Sequence, residues 1–306
     1  MSSPADQPLQ LAVEYFERHA SGAVRLLGQG MEGAVYDLGG GLVGKLWFDR
    51  AADEIAPLQA FLVELGEQEL PFRTPRITRV DSLDGHAVSV EKRLGGRPLR
   101  DVLESGALSE RDGLELFVEM VEALGRTRAG AATKALPLLG EAAAPGEWGE
   151  RLAELVRQRA VQSCEYLATD VENFEELLAQ VLAGLSAIRL EQAQIVHGDI
   201  CTPNVLVDDD VRLALLDWGF FTTAGDNTFD ASTAAAFYDM YSPAARTVDD
   251  LLVQRFEALG HDRDRMYLYR AAYAIATATI YSPTAADGHY TWCVGNLNRA
   301  DIRAAL

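Results

Sequence analysis

Two short tracts, His197-Gly198-Asp199-Ile200-Cys201-Thr202-Pro203-Asn204 and Leu216-Asp217-Trp218-Gly219, constrain this chain more than any other feature. Between them lie the apolar runs NVLVD and VRLALLD, joined through Asp208, Asp209 and Asp210. Apolar runs broken by an acidic turn predict a β-hairpin with a solvated tip. A hairpin returns its second strand to the end where the first began, so Asp217 is carried back beside Asn204. Asp199 precedes Asn204 by five residues, on a tight loop. Two carboxylates and an amide are thus expected at one end of one hairpin. At average residue frequencies the four fixed positions of the first tract arise by chance in roughly one chain in a thousand of this length. The second tract, following the hairpin, makes an incidental turn a poor account of the pair.

The chemistry that calls for this set is phosphoryl transfer from ATP. It needs a carboxylate beside the attacking hydroxyl and oxygen ligands that hold Mg2+ against the phosphates. Gly28-Gln29-Gly30-Met31-Glu32-Gly33 adds a second signal. A strand from Ala34 to Leu38, not a helix, follows it, which argues against a dinucleotide fold and for a glycine-rich flap whose backbone approaches phosphates. Lys45, in LVGKLWF on the third strand, is then positioned as a ligand of the α- and β-phosphates. An anionic partner for it is expected on the next helix: Glu54 is favoured and Glu64 is the other candidate.

Around these tracts, Leu9–His19 reads as a leading helix and residues 23–48 as a hairpin-rich antiparallel sheet. Residues 53–65 form a helix with Ile55, Leu58, Phe61, Leu62 and Leu65 on its buried face, and ITRV and AVSVEKRL supply two more strands. Gly95 and Gly96 mark a hinge. Beyond it, residues 110–128, 148–168 and 173–190 have helical periodicity, residues 131–146 read as a loop, and the chain from Phe229 onward is helical and rich in Ala and Tyr.

The net charge of −19 excludes a nucleic-acid partner, since no basic stripe is present to meet a phosphate backbone. Cys164, Cys201 and Cys293 have no paired spacing and read as reduced thiols. Neither a secretory signal nor an apolar stretch of membrane-spanning length is evident, so a soluble cytoplasmic protein without a membrane partner is expected.

Taken in order, these residues resemble the aminoglycoside phosphotransferase and choline kinase-like superfamily, related in fold to protein kinases. The resemblance implies an α+β, two-lobed protein-kinase-like fold: a small antiparallel β-sheet lobe over residues 1–94 that binds nucleotide, and a larger, mainly helical lobe over 95–306 that carries catalysis and acceptor binding. It assigns Asp199 as catalytic base, Asn204 and Asp217 as Mg2+ ligands, and Lys45 with Gly28, Gly30 and Gly33 as ATP-binding residues. VSVEKRLGGRPL resembles the interlobe linker, which implies that backbone groups of Glu91 and Arg93 meet the adenine edge. Gly225-Asp226 and Asp230 resemble the superfamily's GDxxxD stretch, with a structural role. Cys201, Thr202 and Pro203 replace the His-Pro-Gly of many members. Gly198 stands where many protein kinases carry an arginine, and no Ala-Pro-Glu follows Gly219. Both features favour a small-molecule kinase over a protein kinase.

Candidates for binding the acceptor are Asp239 and Tyr241 in FYDMYSP, and Asp287, His289, Tyr290 and Trp292 in ADGHYTWC. Aromatic faces with nearby carboxylates suit a cationic or polyhydroxylated ring. Three functions stay open: a kinase of an amino sugar or aminoglycoside, a kinase of another small alcohol, and a nucleotide-binding pseudokinase.

Overall fold

The computed structural model describes residues 7–30, 32–139 and 146–306. Met31 of the glycine-rich tract and part of the expected 131–146 loop lie outside the described residues. Along the chain run α1 (Gln7–Glu17), β1 (Arg25–Gln29), β2 (Gly33–Gly39), β3 (Leu42–Trp47), α2 (Ala52–Leu65), β4 (Phe72–Arg73), β5 (Ile77–Leu83), β6 (His86–Lys92), β7 (Arg97–Pro98) and α3 (Leu99–Glu104). Then come α4 (Glu110–Leu124), α5 (Ala131–Lys134), α6 (Trp148–Asp170), α7 (Phe174–Ala187), β8 (Gln194–Val196), β9 (Val205–Val207), β10 (Leu213–Leu215) and β11 (Thr223–Gly225). The chain ends in α8 (Asn227–Phe237), α9 (Ala245–Ala258), α10 (Arg263–Thr277), α11 (Gly288–Leu297) and α12 (Ala300–Ala304). Among the described residues, no helix is long and apolar enough to cross a membrane.

The molecule divides into two units. The first comprises residues up to Val102 together with Val205–Leu216, and the second comprises Leu103–Asn204 and Asp217–Leu306. This differs from the expected single boundary after residue 94. The hairpin of β9 and β10 pairs with the short strands β7 and β4, in the order β4-β10-β9-β7, and so belongs to the first unit.

In the first unit an antiparallel sheet runs β1-β2-β3-β6-β5. Alternation along the strands decides which face is covered. Ala34, Tyr36 and Leu38 of β2, Leu46 of β3, and Val88 and Val90 of β6 are buried with Ala12, Tyr15 and Phe16 of α1. The helix α2 buries Ile55, Leu58, Phe61, Leu62 and Leu65, the stripe that its three- and four-residue spacing predicts.

The second unit is built around two deeply buried helices. Every residue of α8 is buried, as are Met266, Tyr267 and residues 269–277 of α10, whose first turn and Leu268 reach the surface. Alanines at 231 and 234–236, and at 271, 272, 274 and 276, let neighbouring helices approach closely on all sides, so the Ala-rich composition of this region reports burial. One ion pair crosses this core: Arg270, 1% exposed, donates to Asp249 at 3.0 Å, and Arg299 also contacts Asp249. Truncating either partner would strand a buried charge.

Candidate active site

The loop between β8 and β9 holds Asp199 in place from both sides. Its own N–H donates to Nδ1 of His197 at 3.1 Å. The Nδ2 group of Asn204 donates to the Asp199 carbonyl at 3.0 Å and to its carboxylate at 3.2 Å. An amide has one nitrogen and one oxygen, so with Nδ2 committed to Asp199, Asn204 keeps Oδ1 as an oxygen donor. His197 is fully buried, and its ring meets Trp218 edge to face with centroids 4.4 Å apart.

The loop backbone is anchored from below by α8. The N–H groups of His197 and Gly198 donate to the two carboxylate oxygens of Asp230, at 2.9 and 2.7 Å. Asp230 is fully buried, and that burial pushes its carboxyl up to about 7 against the opposing pull of the two N–H bonds. Asp226 accepts the Thr228 N–H as the cap of α8 and also accepts the Tyr269 hydroxyl at 2.8 Å. That hydroxyl accepts the Trp148 indole N–H at 2.9 Å, which ties α6, α8 and α10 together. Both aspartates thus have the structural place that the GDxxxD resemblance implied. Gly198 takes a φ of +80°, and a Cβ there would lie 2.2 Å from Cβ of Phe221, so only glycine fits.

Asp217 is brought to this loop by register. Leu215 of β10 lies opposite Val205 of β9, so Asp217, two residues on, returns to the end of the hairpin where Asn204 begins it. The turn after Asp217 is fastened to the loop itself: Gly219 N–H donates to the Thr222 hydroxyl at 2.8 Å, and that hydroxyl donates to the His197 carbonyl at 3.3 Å. Asp217 has a φ of +61°, a conformation an aspartate adopts at a cost of order 1 kcal/mol and which marks functional turns. The donor set here, one carboxylate and one amide oxygen, suits Mg2+, which keeps waters and phosphate oxygens in most of its positions. Among the described residues, no group of three or more His, Cys, Asp and Glu forms a protein cage for a metal.

In the first unit, Gly33 of β2 pairs with Trp47 of β3, and a Cβ there would meet the Leu46 carbonyl at 1.9 Å, whereas Gly28 and Gly30 face open space. Packing therefore requires Gly33, and leaves the backbone at Gly28 and Gly30 bare. Lys45 Nζ lies 3.3 Å from the carboxylate of Glu32 and 3.6 Å from the centroid of the Trp47 ring.

One expectation is corrected here. Glu54 is not placed as the partner of Lys45: its carboxylate turns back to accept the Ala51 N–H at 2.7 Å, capping its own helix. Of the backbone groups expected at an adenine edge, the Arg93 N–H donates to the Gly41 carbonyl at 2.9 Å, and Glu91 lies inside β6 between β3 and β5.

The acceptor candidates divide. Tyr290 is buried and donates its hydroxyl to Asp170 at 2.7 Å, which makes it a core residue. His289 is buried against Thr277, with its ring nitrogen 2.9 Å from that hydroxyl, and desolvation holds it neutral with a pKa near 4. Trp292 stacks on His289 and is half-buried. Asp239 contacts the Ser242 hydroxyl, and Tyr241 is 69% exposed.

Asp287 is different. One oxygen caps α11 by accepting the Tyr290 N–H at 2.7 Å, while Oδ2 is buried without a hydrogen-bond partner among the described residues. The hydroxyl of Tyr241 is raised by burial, then by the Cys293 thiol and the Asp287 charge. Tyr281, not among the sequence candidates, joins the set. Its ring packs edge-on to His289 at 4.8 Å, and its hydroxyl is pushed up by burial and then by the charge of Asp199 and the proximity of Tyr241. In sequence, Tyr281 looks like one more tyrosine in an Ala-rich helical tail; only its place in the bend after α10 distinguishes it.

Residues 23–269 match the family model described as the APH phosphotransferase enzyme family. Among curated protein sequences, none matches the chain. Solved structures do. A thermostable mutant of aminoglycoside phosphotransferase APH(4)-Ia, crystallised in a ternary complex with AMP-PNP and hygromycin B, superposes with a TM-score of 0.69 at 16% identity, covering 96% of this chain and 98% of that one. Aminoglycoside 2'-phosphotransferase-IIIa, in a GDP complex, gives 0.63 at 13% identity over 99% and 100%. The macrolide 2'-phosphotransferase MphH from Brachybacterium faecium gives 0.57 at 17% identity over 96% and 98%. At these identities the likeness carries the fold: an antiparallel N-terminal sheet region and a helical C-terminal region.

Proposed function

Because the chain belongs to the phosphotransferase enzyme family, and is thus a phosphotransferase acting on a hydroxyl group, we propose that it transfers the γ-phosphate of ATP to a small polyol bearing an amino group. Asp199 is the base that accepts the hydroxyl proton. Asn204 Oδ1 and the Asp217 carboxylate would hold Mg2+, which supplies charge neutralisation at the phosphates. Lys45 meets the α- and β-phosphates, and the bare backbone at Gly28 and Gly30 admits their close approach.

The amino group is argued from one observation: a buried carboxylate oxygen, Asp287 Oδ2, has no hydrogen-bond donor among the described residues. A buried acceptor without a donor costs about 1–3 kcal/mol, more when charged. A ligand ammonium would satisfy it, and the faces of Tyr241 and Tyr281 suit a cationic ring. The hygromycin B bound in the APH(4)-Ia complex and the net charge of −19 fit an aminated acceptor of this kind.

Asp287→Asn tests the reading cleanly. Asparagine caps a helix as well as aspartate does, so α11 keeps its cap while the charge is lost. The KM for an aminated acceptor is expected to rise about tenfold or more, the scale of losing one charge-assisted hydrogen bond, while the KM for ATP stays within about twofold. Turnover of a panel of aminoglycosides, amino sugars, neutral sugars and amino alcohols, with ATP and Mg2+, provides the measurement. Uncharged acceptors outperforming every aminated one, or equal acceptor KM in parent and variant, would overturn the assignment. Binding of the aminated acceptor should also weaken as salt rises, through screening.

A further inference from the structure

The turn that carries the glycine-rich tract places a carboxylate where a phosphate would be expected. Glu32 bridges two cations: one oxygen lies 3.3 Å from Lys45 Nζ and the other 3.4 Å from a guanidinium nitrogen of Arg50. All three side chains are half-buried. Their backbones are fixed. Phe48 N–H donates to the Glu32 carbonyl at 3.0 Å, Gly30 N–H donates to the Gly33 carbonyl at 2.9 Å, and Ala87 N–H donates to the Arg50 carbonyl at 2.7 Å. Both cations share one aromatic surface, the Trp47 indole, with Lys45 Nζ 3.6 Å and Arg50 Cζ 5.5 Å from its centroid. The indole is itself immobilised, 2% exposed and donating to the Ser89 hydroxyl at 3.1 Å.

A carboxylate bridging an ammonium and a guanidinium reproduces the contacts of a phosphate oxygen pair. The group of three carries a net charge of +1, in a chain whose total is −19. We propose that Lys45 and Arg50 together form the polyphosphate site of the first unit, and that Glu32 occupies it as an internal competitor which the incoming nucleotide displaces. Arg50 is thereby a second phosphate-binding residue, and Glu32 sets the nucleotide affinity. Displacement leaves two cations on the Trp47 platform, and an anion with several negative oxygens outcompetes a single carboxylate for them. A nucleoside without phosphates has nothing to displace. The proposal rests on the nucleotide reading above and goes beyond it, because that reading involves neither Glu32 nor Arg50.

Isothermal calorimetry on the full chain, with ATP, inorganic tripolyphosphate and adenosine as separate probes, tests this. Glu32→Gln keeps the size and polarity of the side chain and removes its charge. It is expected to tighten ATP and tripolyphosphate binding about three- to tenfold, the scale of two partly exposed ion pairs, with adenosine unchanged. Arg50→Gln is expected to weaken both phosphate ligands by about the same factor. Glu32→Ala provides a second route to the first result. Polyphosphate binding that stays equal or weakens in both Glu32 variants, or that is unaffected in Arg50→Gln, overturns the proposal alone, because the parent would still bind ATP. A parent that binds neither ATP nor tripolyphosphate removes the nucleotide reading and this inference together.

Discussion

Asp199→Ala is expected to lower kcat by about 10²–10⁴-fold, the range for removing a positioned general base, while the KM for ATP changes only a few-fold. Truncation to alanine removes the proton acceptor with little damage to the loop. The Asp199 N–H still donates to His197, and Asn204 Nδ2 still reaches the Asp199 carbonyl at 3.0 Å. The loop is also held by contacts in which the Asp199 side chain has no part: the Asp230 carboxylate below and the Thr222 hydroxyl beside it. Asp217→Ala should differ in kind, with its loss partly restored by raised Mg2+, because the residue is assigned to the metal and not to the proton. Steady-state phosphate transfer against ATP and Mg2+ concentration distinguishes the two. An Asp199→Ala enzyme that turns over within about threefold of the parent would remove Asp199 from the role of base.

The parts of this molecule that could be read from sequence are those fixed by local geometry. The hairpin of β9 and β10 was legible because a two-residue period and an acidic turn leave one register, and that register alone returns Asp217 to Asn204. The sheet of β1, β2, β3, β5 and β6, and the buried stripe of α2, follow from the same kind of pattern. The partners of side chains were not legible. Glu54 and Glu32 are both acidic neighbours of Lys45 in sequence, and nothing in their spacing tells that one caps α2 while the other folds over β3. The hydrogen bond of the Arg93 N–H was not legible for a related reason, since such commitments depend on a neighbour distant in sequence, here the turn at Gly41. Nor does a boundary near Gly95 show that residues 205–216 pair with β4 and β7. The acceptor residues were hardest, because an aromatic side chain in an Ala-rich helix has the same sequence signature whether it packs inward, as Tyr290 does, or stands out, as Tyr241 does.

Asp230→Asn is expected to destabilise the fold by about 1–3 kcal/mol, the cost of a stranded buried donor, and to lower kcat by about tenfold or more, although the residue touches no substrate. Both of its oxygens accept backbone N–H groups, from His197 and from Gly198. An asparagine of the same shape offers one oxygen and one NH2, so one of those buried N–H groups must face another donor, whereas a carboxyl, even protonated, keeps an acceptor lone pair on each oxygen. The loop carrying Asp199 has to shift to relieve that opposition, and a displacement of about 1 Å at a reacting group costs on the order of 10² in rate. The effect of pH distinguishes this from simple loss of packing. Burial holds the Asp230 carboxyl near 7 in the folded chain, above its value of about 4 in the unfolded one. Between those values the folded state binds a proton that the unfolded state does not, so the contribution of Asp230 to stability is fully present below about pH 4 and is lost as pH rises through about 7. Denaturant midpoints of parent and Asp230→Asn should therefore lie furthest apart near pH 4 and converge toward pH 7, because the variant has no carboxyl there to titrate. A constant gap across that range would mean that Asp230 is ionised throughout, with the two N–H bonds outweighing desolvation; no gap at all would mean that the loop is not anchored by this carboxylate.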